Sequence, residues 1–367
     1  MPPLRPRRVL LTTDAVGGDW RYVLERAEGF AARGIETVIA VLGPRPQTEQ
    51  RAQASRVARV IETGWPLDWT AEDAKALAAA SRGLADLARD QAVDLAHLHA
   101  PAFAGWHRWP VPVASVAHSC LATWWSAVRG TALPADSRWR ADATARGLCR
   151  SDAVIAPTRA FADALRRVYA IDRSIVVIHN GRRRPALPFS AAARERAVLT
   201  VGRLWDEAKN VAALDRAAPQ VGAPVYAAGQ VDGPNGSVAR FDHLRLLGEL
   251  GETALWTRYT ETAILAAPTM YEPFGLSVLE AALAGAALVL GDIPTLRELW
   301  DGVARFVNPG DHIELAHTLR GLLGDRDAIR RAGALAQERA HTYTVNAMVD
   351  GTLAVHRATL ARLATAA

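Results

Sequence analysis

The stretch Tyr271–Leu299, YEPFGLSVLEAALAGAALVLGDIPTLREL, sets Glu272 and Glu280 eight positions apart, with Pro273 and Gly275 between them. An apolar strand-like run, AILAAPT, precedes it, and LSVLEAALAG reads as a helix. Backbone N–H groups at such a helix start attract an anion, and Gly275 lets a ligand approach the chain closely. Glu280, about one turn into the helix, is placed to accept hydrogen bonds from ribose hydroxyls. Glu272, in the loop, is placed to hold sugar hydroxyls. Upstream, VGRLWDEAKN (Val201–Asn210) puts Arg203 and Lys209 at another strand exit, beside Gly202. Two cations there suit a diphosphate. Carboxylates next to an anion site suit a molecule with phosphates in its middle and hydroxyl-rich rings at its ends. Taken alone, Ser277-Val278-Leu279-Glu280 reads as a helix-capping box and the two cations as surface charge. The joint pattern is what points to a ligand.

The elements that would carry these residues follow from the apolar runs. Val9–Thr12 begins a strand that ends in a glycine turn. Later come VDLAHLHA, VPVASVAHS, DAVIAPT and SIVVIHNG, separated in places by helical stretches. This alternation implies a parallel α/β sheet covered on both faces. A break follows at HNGRRRPALPFSAAARER, after which the pattern restarts with AVLTVGRL. The chain of 367 residues exceeds the size at which one core divides. The expected domains are residues 1–182, a linker 183–195, and residues 196–344, with a helix over 345–367. Ligands bind beyond the carboxyl ends of parallel strands, so two such domains facing each other would make a cleft.

Composition narrows the class. No run of about 18 uncharged apolar residues appears, and the N-terminus has no apolar signal core, so a cytoplasmic protein is expected. Cys120 and Cys149 are isolated and frame neither a disulfide nor a metal site. A net charge of +5 fits a solvated surface, an anionic ligand or peripheral contact with the inner face of a membrane. No dense basic tract with interleaved aromatics suggests nucleic acid. His97, His99 and His107 lack partners at ligand spacing, so they read as structural or cleft-lining, with His99 at a strand exit the better site candidate. Asp325-Arg326-Asp327 spells a metal-binding Asp-x-Asp but stands at a helix start, where acidic residues are ordinary.

With these residues set out, the chain resembles the family-4 retaining glycosyltransferases of GT-B fold. GRL…KN, YEPFGLSVLEAALAG and DAVGG match in order, with DLAHLHA, VASVAHS, SDAVIAPT and VVIHNG as further landmarks. Glu272 and Glu280 match that family's two-glutamate motif with seven residues between them. The resemblance implies two Rossmann-like domains, the nucleotide-sugar donor held mainly by the second, and a C-terminal helix packed back on the first. It implies that Arg203 and Lys209 neutralise the donor diphosphate and that Glu280 binds the ribose. Glu272 and the amides of Phe274, Gly275 and Leu276 would hold the donor sugar. Gly17 and Gly18 match the loop that approaches the phosphates, and His118 matches a histidine near the donor sugar. Catalytic roles then fall to His118, Arg203, Lys209 and Glu272.

The implied donor is a nucleoside-diphosphate sugar, UDP ahead of GDP, used without metal or other cofactor. The acceptor is a hydroxyl on a glycan, a lipid-linked sugar or a small metabolite. Asp19, Trp20, His99, Trp124 and Trp125 are the acceptor-side candidates, since aromatic faces stack on sugar rings. Asp19 and the loop GDIPTLREL depart from the family pattern, which leaves the role of Glu298 open. Domain closure with residues 181–195 as hinge is expected on ligand binding. Two other readings stand beside this one: a sugar-nucleotide epimerase of GT-B fold, and a non-catalytic sugar-nucleotide-binding module.

Overall fold

The computed structural model describes residues 5–15, 18–186, 194–233 and 236–366. The chain divides into two compact units. One runs to Gly181 and takes up Thr344–Ala367 again; the other is Arg182–Tyr343.

The first unit holds a seven-stranded sheet of β1 (Arg8–Asp14), β2 (Glu36–Leu42), β3 (Arg59–Glu62), β4 (Leu95–Leu98), β5 (Val113–Val116), β6 (Ala153–Ala156) and β7 (Val176–Val177). Their order is β3-β2-β1-β4-β5-β6-β7, and every pair is parallel. Strands β4, β5 and β6 are buried along their whole length, as a parallel sheet under helices on both faces requires. The helix Val345–Ala366 belongs to this unit and packs on the helix Gly18–Ala31.

The second unit holds β8 (Glu195–Val201), β9 (Val225–Ala228), β10 (Arg245–Gly248), β11 (Thr262–Ala267), β12 (Ala287–Gly291) and β13 (Arg305–Val307). Their order is β10-β9-β8-β11-β12-β13, again parallel throughout. Successive strand residues feed opposite cores. Val198, Ile264, Ala287 and Val289 pack into one cluster. Leu199, Leu265, Leu288 and Leu290 pack into the other, with Trp256 and Trp300. That period of two, with both faces apolar, is why these strands read as continuous hydrophobic runs. In both units the order reverses beside the first strand, β1 or β8, the point at which ligands lodge in open α/β sheets.

Candidate active site

The second unit gathers the motif residues at the carboxyl ends of β8 and β11. Beyond β8, Asp206 caps the short turn Glu207–Lys209, accepting from the Ala208 amide at 3.0 Å. Asn210 leaves that turn in the left-handed region, at φ 54°. Its Nδ2 donates to the carbonyls of Pro268 (2.8 Å) and Pro309 (2.7 Å), and the Met270 amide donates to the Ala208 carbonyl at 2.9 Å. The β8 exit is thereby laced to the β11 exit. Lys209 is delivered against the loop: its Nζ donates to Glu272 Oε2 at 2.5 Å, both side chains being mostly buried. Arg203 is half-exposed and donates to the buried Asp206 at 2.9 Å.

Gly275 precedes the helix Leu276–Leu283 with φ +88° and has no side chain to cap it. A Cβ there would lie 3.2 Å from Val278 Cγ2 and 3.3 Å from Glu272 Cγ, in a backbone region that side chains avoid. Gly275, not Ser277, therefore stands at the N-cap of this helix, and the capping-box reading of Ser277 and Glu280 does not hold. Phe274 is buried edge-on to Tyr343, with 5.8 Å between ring centroids, so only its backbone is left for a ligand. Leu276 is half-buried against the same core. Thr295 Oγ1 donates to the Glu272 carbonyl at 2.6 Å and fixes the loop from the next helix. Glu280 is not left to solvent. Its Oε1 accepts from Arg182 Nε at 2.7 Å and its Oε2 from the Tyr259 hydroxyl at 3.1 Å. Glu298 is exposed on the helix Pro294–Trp300.

The first unit collects a different set. His99, just past β4, donates its backbone N–H to Thr12 Oγ1 at 2.8 Å, and its Nδ1 meets the Thr12 carbonyl. A carbonyl only accepts, so Nδ1 carries the proton and Nε2 keeps a lone pair, buried without a hydrogen-bond partner among the described residues. His118, past β5, stacks on His99 at 5.4 Å between centroids, and the Tyr22 ring stands edge-on to His118 at 4.6 Å and to His99 at 5.6 Å. Behind them lies fully buried Arg26, bonded to the Tyr22 hydroxyl and to His97 Nε2. His97 Nδ1 meets His356 Nε2, from the C-terminal helix, at 2.9 Å. Burial, reinforced by the Arg26 charge, holds His97 well below the ordinary imidazole range and lowers His356 to about 3. Burial and then His118 depress His99 likewise. These rings are neutral bases at neutral pH.

Of the acceptor-side candidates, Trp124 and Trp125 lie half-buried on the helix Leu121–Val128, which follows β5. Their rings are 6.1 Å apart, and the Arg129 guanidinium lies 5.8 Å from one and 5.7 Å from the other. Trp20 corrects the expectation: it is buried in the helix Gly18–Ala31 and shows no ring face on which an acceptor would stack. Trp106 and Trp109 pack against the core of this unit. Gly17 lies outside the described residues; Gly18 and Asp19 open the helix. Asp325 caps the helix Arg326–Ala340 by accepting from the Asp327 and Ala328 amides, so the Asp-x-Asp spelling is helix chemistry. Among the described residues no cluster of three or more metal-ligating side chains occurs, and no helix is long and apolar enough to cross a membrane.

Sequence reasoning missed Arg182, Glu252 and Tyr259 around Glu280, and Tyr22, Arg26 and His356 behind the histidines. Arg182 was hidden in a basic run that reads as linker. The rest had no local signal beyond the helical spacing of Glu252, Trp256 and Tyr259.

Models of two families cover the chain: Glycosyltransferase Family 4 over residues 16–183 and Glycosyl transferases group 1 over residues 195–325. The chain belongs to the family-4 glycosyltransferases. It is 27% identical to a glycogen synthase of Mycobacterium tuberculosis, over 88% of this chain and 86% of that protein. It is 29% identical to a D-inositol 3-phosphate glycosyltransferase of Nocardia farcinica, over 95% and 86%. Among solved structures, sucrose-phosphate synthase from Thermosynechococcus elongatus superposes with a TM-score of 0.80 at 18% identity, covering 97% of this chain and 100% of that one. Anabaena HepE, solved with UDP and glucose, superposes at 0.66 and 17% identity over 95% and 99%. The fold of this glycosyltransferase is accordingly GT-B, with two Rossmann-like domains.

Proposed function

We propose that this glycosyltransferase moves a sugar from a nucleoside-diphosphate sugar to a hydroxyl acceptor with retention of configuration and without a metal ion. The observation that carries the reading is the Lys209–Glu272 pair beside Arg203 and the Gly275 turn, all at two strand exits of one unit. Cations and a helix start take a diphosphate; the carboxylates take the hydroxyls on either side of it. In the reaction the bond from the sugar's anomeric carbon to the phosphate oxygen breaks. Arg203, Lys209 and the backbone at Gly275 stabilise the charge that develops on the diphosphate. The acceptor oxygen bonds to the anomeric carbon from the face the phosphate leaves, and a phosphate oxygen takes the acceptor's proton. No protein base is required on that route. His118, with a ring held by Tyr22 and His99, is the first unit's candidate for a catalytic role.

UDP-sugars rank first as donors and GDP-sugars second; support for UDP is that HepE, of the same fold, is solved with UDP and glucose. The acceptor is a glycan, a lipid-linked sugar or a small metabolite, with Trp124 and Trp125 as the aromatic faces offered to it. The test is incubation with UDP- and GDP-hexoses and an acceptor panel in EDTA, with the anomeric configuration of the product read by NMR. A product of the donor's own configuration is expected. An inverted product overturns the retaining mechanism, and an isomerised sugar formed without acceptor makes the chain an epimerase.

A further inference from the structure

The carboxylate of Glu280 is held more firmly than a ligand contact alone requires. The helix Glu252–Glu261 turns Glu252, Trp256 and Tyr259 to one side, at the spacing of neighbours on a helix face. Against them lies Arg182, whose side chain is only 5% exposed. Its Nε donates to Glu280 Oε1 at 2.7 Å and its Nη2 to Glu252 Oε1 at 3.3 Å, while the guanidinium sits 5.9 Å from the centre of the Trp256 ring. From the other side the buried Tyr259 hydroxyl donates to Glu280 Oε2 at 3.1 Å. Burial and the Glu280 charge push the Tyr259 phenol well above its usual range, so it stays a donor at any working pH. Arg182 is also the residue at which the chain enters this unit, and its N–H is bonded to the carbonyl of Tyr343, where the chain leaves it.

A carboxylate has about four lone-pair directions. One fixed donor on each oxygen occupies two and aims the other two. A buried guanidinium also keeps Glu280 and Glu252 from repelling each other, at a desolvation cost that a purely structural site would avoid with apolar side chains. We propose that Arg182 and Tyr259 are positioning residues that preset Glu280 to accept from both vicinal hydroxyls of the donor's ribose. Selectivity for ribo- over dideoxyribonucleotides is thus built into this unit before the ligand arrives. The inference rests on the donor-site reading above.

The experiment measures dissociation constants by calorimetry for UDP and 2′,3′-dideoxy-UDP, or the GDP pair if GDP binds the wild type more tightly. Inorganic pyrophosphate is measured beside them. The proteins are wild type, Glu280→Ala, Tyr259→Phe, Arg182→Lys and Arg182→Met. Wild type is expected to prefer the ribonucleotide by about tenfold or more, the size of one charge-assisted hydrogen bond. Glu280→Ala brings the ratio near one. Tyr259→Phe and the Arg182 variants lower it by about three- to tenfold, Arg182→Lys least, with pyrophosphate affinity unchanged. Should Arg182→Met fail to fold, Tyr259→Phe and Arg182→Lys decide the matter. Folded Tyr259→Phe and Arg182→Lys proteins that keep the wild-type ratio, while Glu280→Ala loses it, overturn the positioning role alone. A wild type without discrimination, or Glu280→Ala with undiminished discrimination, overturns the donor-site reading and this inference with it.

Discussion

The strand exits of the two units solve the burial of charge in opposite ways. In the second unit each cation named at the site meets a carboxylate: Lys209 meets Glu272, Arg182 meets Glu280 and Glu252, and Arg203 meets Asp206. In the first, the buried guanidinium of Arg26 meets a phenol and an imidazole, and further imidazoles, all forced neutral, extend from it to the C-terminal helix. Paired charges hold their partners in place and are ready to exchange one anion for another, as the proposed diphosphate donor would demand of Lys209. Neutral rings around one buried cation instead make a site rich in donors and lone pairs whose stability depends on staying unprotonated.

The largest effect that would sharpen this contrast is on transfer itself. Lys209→Ala removes a donor aimed at developing charge and should lower turnover by about a hundredfold or more, the size seen when one such donor is lost. Rates within threefold of wild type would show that the pair with Glu272 is only structural.

Next in size is a pH effect confined to the first unit. The folded pKa values of His97, His99 and His356 lie below 6.5, that of His356 at about 3. Below pH 6.5 the unfolded chain therefore binds protons that the folded one refuses, so stability is full above 6.5 and falls as the pH drops toward 3. Each histidine contributes a slope of about 1 kcal/mol per pH unit in that window. Urea midpoints from pH 8 to pH 5 should fall steeply, and His356→Leu should flatten the fall by one histidine's share. A flat profile would mean that the cluster is charged or solvated.

The smallest effect is at Asp325. Asp325→Ala should lower the urea midpoint slightly as a lost helix cap and leave transfer unchanged, in EDTA as without it. Loss of transfer in EDTA alone would point to a metal site at Asp325-Arg326-Asp327 and overturn the structural reading.

The same contrast explains what could be read from the chain alone. Strands such as Ala153–Ala156 and Thr262–Ala267 are fully buried and apolar but for Thr262, and so announce a buried parallel sheet. Arg203, Lys209, Glu272 and Glu280 belong to two short stretches at strand exits, so local spacing places them. The cage around Glu280 joins residues 98 and 21 positions away, and His97 meets His356 across 259. Those partners are set by packing of the helices Glu252–Glu261 and Val345–Ala366, which no local pattern encodes. Trp20, expected on the acceptor side, lies instead on the inward face of its helix, a burial that packing sets and no local pattern encodes.

One titration reaches furthest into this picture: UDP, GDP, ADP and TDP added to the protein in EDTA, with Arg203→Ala and Lys209→Ala beside the wild type. A diphosphate site built from Arg203, Lys209 and the Gly275 turn binds one of these nucleotides without metal, and each variant weakens it about tenfold or more. Binding that appears only when a divalent ion is restored, or that both variants leave intact, would contradict it.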